Sequence, residues 1–283
     1  MLLAAATVAW SPAAELRVVG SDLLGTEFTG AVKDFARRNE LSLTLSLEGS
    51  RTGLARLQSG GADLGLIVLP PGEEPPATVF KGFPIAYHVV LVLVPDTSPL
   101  AQITFHELGG IFGAAESTSF TRWSDLGLTG EWAARAIVPQ AMDPGTGLSL
   151  QLFRRVVLAD GKLRSVVAIQ LSGEAVLRKL ETDEGGIALS GEVPAGAKKV
   201  RVLPVAKADR DVAFGPTPEN IHAGDYPLRL PLWLVVRQEA AQAQLNFLRF
   251  LLSDETAPLL ERAGLVTLPL QARNQLMFDL EQL

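Results

Sequence analysis

The chain contains no cysteine. That absence removes disulfide staples, thiolate zinc sites, a cysteine nucleophile and a lipidated N-terminal cysteine. Histidine is scarce: His88, His106 and His222 are the only three, and their spacing matches no metal-ligand pattern. Each reads as a structural residue on a strand, a helix start or a loop. No G-x-S-x-G elbow occurs, so a hydrolase triad lacks its sequence cue. Concentrated positive charge is missing too. The 25 Lys and Arg are outnumbered by 31 Asp and Glu, for a net charge of −6. Neutralising nucleic-acid phosphates needs clustered cations, which argues against such a partner. No apolar run reaches the roughly 20 residues that span a bilayer. The nearest, "AYHVVLVLVP", is strand-sized and rich in valine. These absences leave a binding protein rather than an enzyme, with no cofactor, no metal and no transmembrane span.

What is present is a chain of 283 residues, 47% hydrophobic, long enough for two lobes with their own cores. At the start, "MLLAAATVAWSPAAELRV" sets a short apolar run before Ser11-Pro12-Ala13. That small-residue pattern fits signal-peptidase cleavage although the positive flank is missing, so residues 1–14 are expected to be a signal-peptide remnant. A periplasmic or secreted location follows.

Beyond that point, strand and helix patterns alternate. "ELRVVGS" is a short strand, and "LLGTEFTGAVKDFARRN" repeats apolar residues at helical spacing. "LSLTLSLEG" alternates, "SRTGLARLQSG" reads as a short helix begun by Ser50, and "ADLGLIVLP" as a buried strand. A β-α-β-α-β run implies a mostly parallel sheet whose ligands bind beyond the carboxyl ends of its strands. The turns "GSD" and "EGSRTG" lie at such ends. After a proline-rich break near Pro95 to Pro99 the same order recurs in "AIVPQAMDPGTGLSLQLFRRVVL", and "YPLRLPLWLVV" reads as a strand returning to the first lobe. The fold expected is α/β, with two mixed, mostly parallel sheets joined by a two-segment hinge. Lobe I takes 15–95 and 229–283, and lobe II takes 96–228. Within "DPGTG", Asp143 suits the N-cap and Pro144 the first helical position, so the N–H groups of Gly145, Thr146 and Gly147 would point outward toward an anion. The same residues also suit an ordinary capped helix.

The order and spacing of "VVGSD", "EGSRTGLARLQSGGADLGL", "ITFHELGGIFG" with "RWSDLG", "DPGTG", "EGGIALSG" and "TPENIHAGDYPLRLPLWLVV" resemble the substrate-binding proteins of bacterial phosphate ABC transporters, within the periplasmic binding protein superfamily. The resemblance covers nearly the whole chain after the leader. It implies a two-lobed Venus-flytrap receptor, a monomer that closes on phosphate and presents it to a transporter permease, without turnover. Ser50 falls on the family's serine at the second strand-to-helix turn. Gly145 and Thr146 fall on the last two positions of its Ser-Gly-Thr helix start.

Several positions depart from that pattern. Asp22 replaces a hydroxyl residue, Pro144 replaces the serine, and Gln140 or Ala141 falls where an anion-clamping arginine is expected. Ile67 and Val68 replace polar residues, and Leu230 replaces the return-strand arginine beside Arg229. Glutamine offers neutral hydrogen bonds where an arginine fork gives a charge-assisted, bidentate grip. Asp22 could instead accept the proton of a monobasic phosphate, with Arg51 or Arg229 as the cation. Otherwise Asp22 and Asp143 suit a neutral or cation-bearing polar ligand, on a sensor or accessory interaction protein built on the same scaffold. The candidate ligand-binding residues are Ser21, Asp22, Leu23, Ser50, Arg51, Thr52, Gln140, Asp143, Gly145 and Thr146.

Overall fold

A computed structural model describes residues 15–77, 79–115, 117–145, 147–182, 185–237 and 244–282. The expected signal-peptide remnant lies outside these residues.

The first segment runs β1 (Leu16–Gly20), α1 (Gly25–Arg38), β2 (Leu43–Ser46), α2 (Ser50–Gln58), β3 (Leu64–Val68) and β4 (Phe80–Val89). In α1 the residues Phe28, Val32 and Ala36 recur every fourth position and are buried, which fixes the face the helix lays on the sheet. At the opposite end of the sheet, Arg17 holds β1 to the start of β3 through two side-chain hydrogen bonds to Asp63, at 2.7 and 3.1 Å. The charge-assisted pairing holds the Asp63 carboxyl below its ordinary range.

The chain then enters β5 (Leu91–Pro95), β6 (Ile103–Thr104), α3 (Phe105–Phe112), β7 (Val138–Met142), α4 (Leu148–Val157), β8 (Ala168–Gln170), α5 (Gly173–Thr182), β9 (Gly186–Ser190), β10 (Val200–Val202), β11 (Val205–Ala206) and α6 (Pro218–Ala223). Thr104 starts α3 with a reciprocal cap: its hydroxyl accepts from the Glu107 N–H at 3.2 Å, while the Glu107 carboxylate accepts from the Thr104 N–H at 2.8 Å. The return consists of β12 (Arg229–Arg237), α7 (Leu245–Leu251), α8 (Ala257–Arg262), β13 (Val266–Thr267) and α9 (Leu270–Glu281).

Two principal mixed sheets result. One orders its strands β13-β4-β12-β3-β1-β2 and the other β10-β5-β9-β7-β8, while β6 and β11 form a separate parallel pair. Within the two principal sheets, parallel pairing is confined to the β-α-β portions, where β1 joins β2 and β3 and β7 joins β8 and β9. The strands that enter and leave across the hinge, β4, β5 and β12, pair antiparallel. Because β5 belongs to the second sheet, the first crossing falls at Val90, five residues before the Pro95 break that the sequence suggests. The return crossing falls at Leu228, directly before β12. The two crossings touch: the Val90 N–H donates to the Leu228 carbonyl at 2.9 Å. One apolar cluster runs through both lobes and includes Phe28, Val92, Phe153 and Leu232. A smaller cluster under α2 contains Val19, Leu57, Ile67 and Phe80.

Candidate functional site

In lobe I the turns after β1 and β2 are brought together at the carboxyl edge of the sheet. The Gly49 N–H donates to the Gly20 carbonyl at 3.0 Å, and the Ser21 N–H to the Leu66 carbonyl at 2.8 Å. Such closeness needs glycine. A Cβ on Gly20 would sit 2.3 Å from the Leu66 oxygen, and one on Gly53, in the first turn of α2, would sit 3.2 Å from the Gly20 nitrogen. Ser21 is buried, and its hydroxyl accepts from the Leu23 N–H at 3.3 Å. Asp22 and Leu23 lie on the short 3-10 turn that follows, with Asp22 exposed and Leu23 half-buried. Ser50 opens α2, and its Oγ accepts the Val68 N–H at 2.9 Å, tying the second turn to the end of β3. A hydroxyl that accepts in this way still holds a proton to donate. Arg51 and Thr52 follow in the same first turn, both exposed. Ile67 is fully buried under α2; the polar acceptor that the resemblance leads one to expect near here is replaced by packing.

Lobe II departs further from expectation. The helix after β7 begins at Leu148 with Gly147 as its N-cap, so Pro144 is not its first residue and Asp143 is not its N-cap. Asp143 instead closes the turn: one carboxylate oxygen accepts the N–H groups of both Gly145 and Gly147, each at 2.9 Å. The Gly145 and Gly147 N–H groups, expected to face an anion, therefore already face one. Thr146 lies outside the described residues. Gln140 is withdrawn from the crevice. It is completely buried, its amide nitrogen donates to the Val176 carbonyl in α5 at 3.3 Å, and its Oε1 has no partner. Arg229 is also committed elsewhere: its guanidinium donates to the His222 carbonyl at 2.9 Å and to the Ile221 carbonyl, capping α6. Arg51, by contrast, is exposed and makes no hydrogen bond or ion pair among the described residues.

The sequence reading missed a contact between the lobes. His88, near the end of β4, sets its Nε2 3.0 Å from the Ser149 hydroxyl in the first turn of α4. Burial pushes the imidazole down to about 4, so it is neutral at neutral pH. The two residues are 61 positions apart, and neither belongs to a motif; only the meeting of the lobes makes them a pair. Further along α4 a cavity of about 310 Å³ opens between the lobes, lined by Pro70, Pro71 and Glu73 on one side and Gln151, Arg154 and Arg155 on the other. Its arginines are partly satisfied within lobe II: Arg154 donates to the Gly161 carbonyl at 2.8 Å, and Arg155 pairs with Asp160. No group of three or more metal-ligating side chains converges among the described residues, and no helix there is long and apolar enough to cross a membrane.

Two mixed α/β lobes joined by paired crossings define a bilobed binding protein. The chain belongs to the PBP superfamily, whose domain profile matches residues 6–255, and the family is one of substrate-binding, non-enzymatic proteins. Its curated relatives include the phosphate-binding protein PstS of Pseudomonas aeruginosa, 23% identical over 281 residues that make up 94% of this chain and 86% of the relative. Among solved structures, a possible phosphate binding protein from Planctomyces limnophilus shares the fold at a TM-score of 0.70 and 21% identity, covering 96% of this chain and 99% of its own. An ABC-type phosphate transport receptor from Vibrio cholerae does so at 0.64 and 18%, covering 89% and 100%.

Proposed function

We propose that the chain is an extracytoplasmic solute-binding protein of the phosphate-receptor type, which captures inorganic phosphate between its lobes and presents it to the permease of an ABC transporter. Kinship to phosphate-binding proteins supports this reading. The observation that carries it is Ser50, whose oxygen is occupied by the Val68 N–H and whose proton remains to donate at the carboxyl edge of the sheet. On this reading Arg51 supplies the cation from the same helix turn, and exposed Asp22 accepts the proton of monobasic phosphate. The Asp143 carboxylate on the Gly145 and Gly147 N–H groups favours a second reading, in which the crevice serves a neutral or cation-bearing polar ligand in a sensor or accessory role.

Calorimetric titration with phosphate at neutral pH decides between them. Micromolar binding that weakens about tenfold in Ser50→Ala, the value of one hydrogen bond to an anion, supports phosphate capture. Weaker binding in Asp22→Asn adds the proton acceptor. No heat from the parent chain removes phosphate and leaves the second reading.

A further inference from the structure

The two crossings between the lobes are bonded side by side at Val90 and Leu228, and the buried Tyr226 hydroxyl donates to the Val90 carbonyl at 2.6 Å. Directly before the first crossing, β4 places Tyr87 and His88 on opposite faces of the strand. Each reaches lobe II. His88 meets Ser149 of α4 at 3.0 Å, and the Tyr87 hydroxyl lies 3.4 Å from His222 Nδ1 in α6. The Tyr87 ring is also covered by the Arg229 guanidinium at 5.0 Å, and that same group is bonded to the last carbonyls of α6. Little slack remains on the His88 side. A Cβ on Gly191, directly after β9, would stand 2.9 Å from the Ser149 oxygen and 3.0 Å from the imidazole Cε1. The ring is therefore wedged between α4 and the end of the second sheet.

We propose that Tyr87 and His88 are hinge straps, positioning residues that set the resting angle between the lobes before any ligand arrives. The proposal rests on the reading of the chain as a receptor whose lobes move. Hinge motion is absorbed by a few residues at the crossings, and cross-lobe bonds within three residues of Val90 resist it on both faces of β4. A receptor held near one angle loses less of its affinity to unproductive conformers, because its binding-competent fraction is already large. His88 with Ser149 is the tighter strap, and Tyr87 with His222 and Arg229 the looser one.

The cysteine-free chain allows a direct test. Lys33→Cys in α1 and Glu181→Cys in α5, both exposed positions, carry spin labels for pulsed electron paramagnetic resonance on the ligand-free protein. The labelled parent should give one narrow distance distribution. Ser149→Ala should shift or broaden it at unchanged melting temperature, His88→Ala should do so at a lower one, His88→Gln should restore it by offering an amide nitrogen near the place of Nε2, and Tyr87→Phe should have a smaller effect. Since Ser149→Ala removes only one hydroxyl at a half-buried position, this variant remains informative if His88→Ala fails to fold. Parent-like distributions in both Ser149→Ala and His88→Ala overturn the proposal. No phosphate is present, so this outcome is independent of the phosphate titration; adding phosphate afterwards tests the ligand reading alone.

Discussion

The strand-to-helix turns of the two lobes share one plan, a strand that ends in a turn and restarts as a helix, yet the side chains that close them differ in chemistry. In lobe I the turn side chains that bond to the backbone are hydroxyls, while the Asp22 carboxylate is exposed and makes no such bond. Ser21 accepts from Leu23 and Ser50 from Val68, and both keep a proton. In lobe II the turn side chain is a carboxylate, which accepts from Gly145 and Gly147 and has no proton to pass on when ionised. A helix start attracts anions because its first N–H groups lack partners. Whether that attraction is available to a ligand depends on what already occupies those groups. One wall offers donors, and the other brings its own anion.

The largest effect is expected from trying to erase this difference. Restoring the arginine that the resemblance leads one to expect, as Gln140→Arg, would not give lobe II a clamp. The side chain at this position lies wholly buried beneath α5 beside the Val176 carbonyl. A guanidinium there would replace a buried side chain whose one hydrogen bond goes to a carbonyl, and an uncompensated buried charge costs about 3 to 5 kcal/mol. Thermal unfolding should show a drop of roughly 10 °C for a chain of this size, while Gln140→Leu, which removes the unpartnered oxygen, stays close to the parent. A Gln140→Arg protein with parental melting temperature and stronger phosphate binding would show that the side chain swings into the crevice, and the contrast between the walls would be a one-residue matter.

A smaller effect is expected where the walls meet, at His88. Its folded value of about 4 lies below the ordinary 6.5 because burial disfavours the charged ring. The unfolded chain therefore binds a proton between these values while the folded chain does not. Stability contributed by the neutral ring is complete above 6.5 and is lost as pH falls toward 4, by about 3 kcal/mol at most. Urea midpoints at pH 7 and pH 4.5 measure the loss. Other acid-sensitive groups add to it, so the quantity that matters is the difference from His88→Gln, which should lose less on acidification. Equal losses in the two proteins would mean that the imbalance at the contact is not one of protonation.

Much of this architecture is legible in the sequence because it follows from local pattern. The alternation of the strand "ELRVVGS" with the helical spacing of "LLGTEFTGAVKDFARRN" leads directly to observed elements. Other features are hidden by physics that is not local. The crossing at Val90 leaves no composition signal, since β4 and β5 are one valine-rich run whose two halves join different sheets. The last helix, α9, buries only Leu276 and Leu280 and carries little periodic signal. Gln140 sits at the expected position in its motif, but the face its side chain takes depends on the packing of α5. Asp143 is the subtlest instance. Its sequence position is compatible with a cap or a contact, and in the structure the helix begins at Leu148 and the carboxylate folds back onto Gly145 and Gly147.

The smallest expected effect is also the one that most sharpens the contrast between the walls. Asp143→Asn keeps an acceptor oxygen for the turn and removes only the charge, so the fold should change little; Asp143→Ala, which leaves the Gly145 and Gly147 N–H groups without their acceptor, should cost more, about 1 to 2 kcal/mol. A carboxylate several ångströms from a bound dianion, at the intermediate dielectric of a protein surface, opposes it by about 1 kcal/mol after screening. Phosphate affinity should therefore rise roughly fivefold in Asp143→Asn, read by the same calorimetric titration. The sign decides more than the size. A rise means that the lobe II wall carries an internal competitor, and that the lobe I hydroxyls hold the ligand largely alone. A fall would mean that the carboxylate accepts a proton from the ligand, as Asp22 is proposed to do from the opposite wall. In that case the two walls would be alike in function despite their different chemistry.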